Sequence, residues 1–140
     1  MTKKLTIGTV VVNAVIILGL VVMFVIGYNE NKVLLTDETV QITGFYGYEF
    51  SFSDVEMIEL REELPGIQRR VNGMSFLGVH KGIYNLAEYG RSRLYIHGST
   101  EPTIYVKADG NNIFIRFREP EKTTKLYEDI LAAILSTKEE

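Results

Sequence analysis

Apolar positions follow three different rules along this chain. From Leu5 to Tyr28 the run LTIGTVVVNAVIILGLVVMFVIGY carries no charge, and fifteen of its 24 residues are Leu, Ile, Val or Phe. At about 1.5 Å rise per residue this makes a helix of roughly 36 Å. A bilayer's hydrocarbon core is about 30 Å thick, so the stretch is predicted to cross it with some tilt. Each of those side chains favours insertion by about 0.3 to 0.6 kcal/mol, which together outweighs Asn13 and the threonines. The apolar region of a cleaved signal is shorter, roughly 7 to 15 residues, and precedes a small-residue cleavage site. This run ends in Gly27-Tyr28-Asn29-Glu30, so an uncleaved anchor is expected.

Beyond residue 32 the rule changes to period two, the mark of strands with one buried face. Candidate strands are Lys32–Thr36, Thr39–Thr43, Tyr48–Phe52, Val55–Arg61, Val79–Leu86, Ser92–His97, Thr103–Lys107 and Asn112–Phe117. Turn chemistry separates them: Asp37-Glu38, Gly44 to Gly47, Ser53-Asp54, Gly98 to Pro102, and Asp109-Gly110-Asn111, with Asp-Gly the most specific hairpin signal. Such close spacing predicts an antiparallel meander. Between Glu62 and Gly78 lie about 17 residues that read as a long connection, a length at which loops are often functional.

The third rule is helical. Leu126, Ile130, Ala133, Ile134 and Thr137 share one face, with Pro120 suited to the first turn, Glu119 and Glu121 to the positive end and Lys138 to the negative end. A helix over about 120–137 is predicted, its apolar stripe buried over an open end of the sheets. The fold class is therefore mainly β: seven or eight short strands in an antiparallel barrel or sandwich, a C-terminal helix, and one N-terminal membrane helix. The division is a tail over 1–4, a span over 5–28, a short linker over 29–31 and one domain over 32–140.

Composition adds orientation and exclusions. Lys3, Lys4 and the terminal amine precede the span, while only Lys32 follows closely amid Glu30, Asp37 and Glu38. The amino end is therefore expected in the cytoplasm and the domain outside the cell membrane. Past residue 32 there are 12 basic and 17 acidic side chains, a balance that argues against nucleic acid as a partner. The chain has no Cys and two His, so no disulfide framework, no cofactor and no metal site is expected. His80 and His97 lack ligand spacing, and His97, alternating with Ile96, is expected to face solvent. There is no G-x-S-x-G, P-loop or G-x-G-x-x-G. Glu62-Glu63 reads as a solvated strand end rather than an acid/base pair, so the chain is not expected to be an enzyme. Asn13 reads as a tolerated polar residue in the span, although a carboxamide there can also bond to a second helix.

The run from Val40 to Ile96 resembles the bacterial pleckstrin-homology-like (PH-like) domain family. The matching elements are Val40 to Phe52, Val55 to Pro65 with its Leu-Pro, the Arg/Asn-Gly loop Arg69 to Gly73, Gly82 to Tyr84, and Leu94 to Ile96. The resemblance covers roughly Val33 to Leu135 and rests on apolar positions and glycines, without catalytic residues. It implies a PH-like fold with a loosely defined binding role, in a family whose members commonly sit beside membrane helices.

Two candidate surfaces follow. If Leu94, Ile96, Ile104, Val106, Ile113, Ile115 and Phe117 line the core, then Tyr95, Tyr105 and Phe114 alternate outward on three strands, bordered by Arg93, Lys107, Arg116 and Arg118, as an aromatic patch for a protein partner or self-association. The bland reading is cross-strand pairing on a sheet exterior. The alternative is a lipid or small-ligand site between the 62–78 segment and the barrel mouth, using Arg69, Arg70 and Lys81, by likeness to the basic loop with which eukaryotic PH domains read phosphoinositides. The expected function is a membrane-anchored binding or adaptor module, in which tethering raises effective concentration beside other membrane components.

Overall fold

The computed structural model describes residues 6–139; the tail over 1–4, with the two lysines used for orientation, and Leu5 lie outside the described residues. Helix α1 is Ile7–Tyr28, opened by Thr6, whose hydroxyl accepts from the Thr9 amide. Among the described residues it is the one helix long and apolar enough to cross a membrane. Every residue on it is exposed except Gly27. That distribution is foreign to a core helix, which hides its apolar face.

Among the described residues nine strands follow, in two sheets. β1 (Val33–Leu35), β2 (Thr39–Ile42) and β3 (Tyr48–Ser51) form an antiparallel three-stranded sheet. A short 3-10 turn, Phe52–Asp54, hands the chain to a six-stranded sheet. Its strands are β4 (Val55–Arg61), β5 (Ile67–Phe76), β6 (Val79–Leu86), β7 (Gly90–His97), β8 (Thr103–Ala108) and β9 (Asn111–Arg116), in the order β4-β8-β9-β7-β6-β5. Ser53-Asp54 is thus a transfer between sheets and not a hairpin.

The C-terminal helix α2 covers Pro120–Lys138 with Pro120 in its first turn, and it buries Thr123, Leu126, Ile130 and Ile134. Leu126, Ile130 and Ile134 meet Val40 and Phe50 of the small sheet, Phe52 of the 3-10 turn and Ile104, Val106, Ile113 and Ile115 of the large sheet in the main core. A second cluster lies on the opposite face of the large sheet, around Tyr84, Leu94, Ile96, Tyr105 and Phe114, and is covered by Leu64 and Tyr89. Both faces of the large sheet are therefore buried at its centre, which two layers of chain on one sheet make possible.

Two expectations fail here. The 62–78 segment is not a long loop, because β5 fills most of it as an edge strand paired to β6. Its register slips between Ile67 and Arg69 and between Arg70 and Asn72, and such bulges break the period-two pattern by which strands are recognised. Nor is the large sheet a meander. β9 lies between β7 and β8 and runs parallel to β7, so Gly98 to Pro102 bridges two strand spacings, about 10 Å, instead of turning a hairpin. Asp109-Gly110 does turn a hairpin, β8 to β9.

Candidate functional site

The carboxyl end of α1 does not lead into a free linker. The backbone carbonyl of Tyr28 accepts a hydrogen bond from Arg118 Nη2 at 2.6 Å, and the carbonyl of Asn29 accepts one from Lys81 Nζ. Those carbonyls end a helix and lack an intrahelical donor, so cations are favoured beside them. The Arg118 guanidinium also stacks on the Tyr28 ring, 4.3 Å from its centroid. Glu30 turns back into the domain, accepting from the Arg118 amide at 2.7 Å and pairing with Lys122 at 3.0 Å. Asn31 is buried and donates to the carbonyls of Thr43 and Phe45. From Thr43 the pairing continues to Lys32 and so into β1.

Burial shapes the charges at this junction. Lys81 is 1% exposed; burial, with Arg118 nearby, pushes its ammonium down to about 8, and Glu30 opposes that. His97 is equally enclosed. Burial first, then the Lys81 charge, carries its imidazole down to about 4. Its Nδ1 lies 3.3 Å from the Arg116 carbonyl, so the expectation that His97 faces solvent is corrected: with both faces of β7 covered, alternation no longer separates inside from outside. Burial raises the Glu30 carboxyl, but the Arg118 amide and Lys122 outweigh it and hold the group below its ordinary value.

Below this polar ring two hairpin ends flank α1. Met74 and Phe45 pack against Gly27, where an added Cβ would stand 2.9 Å from Met74 Sδ and 3.3 Å from Phe45. The rings of Phe24 and Phe76 are 5.5 Å apart. An apolar groove of about 470 Å³ separates Leu20, Met23 and Phe24 from Phe45, Tyr46 and Met74.

The residues chosen from the sequence fall elsewhere. Tyr95, Tyr105 and Phe114 are 1%, 4% and 0% exposed, so the exposed aromatic patch does not exist. Because β9 is parallel to β7, Leu94 rather than Tyr95 sits beside Phe114. Tyr95 points to the other face, where its hydroxyl donates to the Tyr46 carbonyl. Tyr105 and Phe114 stack under Tyr89, with Arg61 over Tyr105 at 4.5 Å. Arg69 and Arg70 are exposed on β5 opposite Asn85 and Tyr84, whereas Lys81 is paired to Met74, farther along the strand, and is spent on Asn29. The three do not converge. A cavity of about 270 Å³ near the expected mouth is lined by Arg61, Glu63, Leu64, Pro65, Ala87 and Tyr89 among others, and by none of them.

Pattern does not foresee the junction: Glu30 reads only as a flanking charge and Arg118 only as a border of the aromatic patch, and Glu30 meets Arg118 and Lys122 across 88 and 92 positions. The available signal was a cluster of polar residues immediately after an apolar run. Among the described residues no group of three or more His, Asp or Glu is placed to hold a metal ion.

No curated protein and no solved structure matches the chain. A model of the bacterial PH domain matches residues 31–131. This match begins at Asn31, inside the polar ring, and takes in both sheets and most of α2, so the chain belongs to the bacterial PH domain family, with a candidate membrane helix seated directly on that domain.

Proposed function

We propose that this chain is a membrane-anchored, non-enzymatic binding module. α1 crosses the bilayer with its amino end in the cytoplasm, and the PH-like domain is held against the outer surface for protein partners in the same membrane. The observation that carries this reading is the ring formed by Lys81, Arg118, Glu30, Lys122 and Asn31 around the end of α1. A flexible tether would only raise local concentration. A seated helix also fixes which side of the domain faces the lipid and which sides face neighbours, so less orientational freedom is lost on binding.

Two measurements on cells expressing the full chain test this. The protein stays with the membrane through an alkaline carbonate wash, and protease added to intact cells digests the region after Tyr28. Release by carbonate would remove the anchor, and full protection would reverse the orientation. For partners, a photo-crosslinking residue at Arg70, on the exposed outer strand β5, gives discrete adducts in the native membrane. Absence of adducts there, and from a second probe at Leu135 on α2, would contradict the binding role.

A further inference from the structure

We propose that the PH-like domain is itself partly embedded: the hairpin ends at Gly44–Gly47 and Met74–Gly78 dip into the headgroup–acyl boundary of the bilayer that α1 crosses, and lipid acyl chain fills the groove between them and the helix. This rests on reading α1 as a membrane span. Depth is the first argument. Phe76 touches Phe24, and Tyr46 and Phe45 share a groove with Leu20. Leu20 stands eight residues before the helix end, or about 12 Å along its axis, and amphipathic elements lying in the interface sit roughly 5 to 10 Å into that boundary. If α1 is in lipid, these ends cannot be wholly in water.

Chemistry is the second argument. The stretch Thr39–Tyr48 has no charged residue, and neither has Val71–Val79. The ends nonetheless expose Phe45, Tyr46, Phe76 and Leu77, the last at 72%. Contiguous exposed apolar residues continuing an apolar helix make one surface, and lipid is the medium that already covers the helix part of it.

Backbone geometry is the third. Leu77 and Gly78 take φ of 45° and 78°, and Asp109 and Gly110 take 49° and 73°. Both pairs are two-residue hairpin turns of the kind that favours Asn or Asp followed by Gly. The turn at the far end of β9 uses Asp; the one beside α1 uses Leu, a bulky residue in a left-handed conformation that it rarely adopts. Tyr46, at the apex of the other end, is also left-handed at φ 61°. Strain of this kind persists where surrounding structure and function hold it. Both ends are also fixed in place: Asn31 and Tyr95 bond the carbonyls of Phe45 and Tyr46, and Tyr84 bonds that of Met74.

The chain contains no Trp, so single-tryptophan variants of the full chain report position directly. In phosphatidylcholine vesicles with brominated acyl chains, compared with unlabelled ones, Phe24→Trp, Phe45→Trp and Leu77→Trp each lose emission, and Asp109→Trp does not. Phe76→Trp reads the second hairpin end if Leu77→Trp disturbs its turn. Quenching of Phe24→Trp alone would overturn the embedding and leave the anchor standing. Quenching of none would remove the anchor and the embedding together. Equal quenching of Asp109→Trp would show that lipid contact is not particular to these ends, and would overturn the proposal as well.

Discussion

Gly73 and Gly82 face each other across β5 and β6 with no room for a side chain on either. A Cβ on Gly82 would stand 2.6 Å from Gly73 Cα and closer still to the Asn72 carbonyl oxygen, at a φ of 117°. Tyr84 uses the space, its ring edge against Gly73 and its hydroxyl bonded to the Met74 carbonyl. Gly82→Ala should therefore cost roughly 2 to 4 kcal/mol, seen as a lower melting temperature in detergent, and an unchanged Tm would contradict the close approach. His97 sets a pH dependence. Folded, its imidazole stays neutral down to about 4, whereas its ordinary value is 6.5. The unfolded chain binds the extra proton in that window, so stability falls as pH drops from about 6.5 to 4, by roughly 3 kcal/mol. His97→Gln should flatten that slope; a slope of the same size would assign it elsewhere. Leu77→Asn, relieving a strained turn position, should stabilise the fold by about 1 kcal/mol, seen as a higher Tm in detergent. Of these residues the sequence placed Asn72-Gly73 in a long connection and His97 at the surface. The first reading failed because bulges break the alternation of β5, and the second because it assumed one wet face on every strand, which β7 lacks at its centre.

At the scale of elements, α2 was legible because its apolar spacing, its proline and its end charges agree, and the burial of Leu126, Ile130 and Ile134 follows that spacing. Ile130 is fully buried in the main core. Ile130→Ala should cost about 2 to 5 kcal/mol, the transfer term of the deleted carbons plus the cavity they leave. A loss below 1 kcal/mol on chemical denaturation would mean that α2 merely rests on the surface. Hairpins closed by local turns, β1 with β2, β2 with β3 and β8 with β9, were equally legible. β5 was not, since two bulges scramble its alternation and as an edge strand it exposes most of its side chains. The insertion of β9 between β7 and β8 was hidden for a different reason: Val55–Arg61 pairs with Thr103–Ala108 across some fifty residues, and no local signal encodes that partnership.

At the scale of the whole molecule, the junction decides whether helix and domain act as one body. Its polar contacts trade a helix end's unpaired carbonyls for charged donors, and bonds to charged groups are worth about 1.5 to 3 kcal/mol each. Glu30→Ala removes the acceptor for the Arg118 amide and the partner of Lys122. It should speed limited proteolysis between residues 28 and 33 in membranes while leaving cleavage in the domain unchanged. Equal rates in both proteins would show that the clamp is dispensable. The long apolar helix and the presence of a β domain were readable from hydropathy alone, but the seat between them was not, because it is assembled from residues far apart in sequence whose individual side chains look like ordinary surface groups.

The chain has no cysteine, so spin labels can be placed one pair at a time. With Val15→Cys on α1 and Asp109→Cys at the far end of β9, in the full chain reconstituted in a bilayer, the distance between labels measures the seating of helix and domain directly. A single narrow distribution is the predicted result. A broad spread over tens of ångströms would contradict it, since a domain swinging on a loose tether visits many separations.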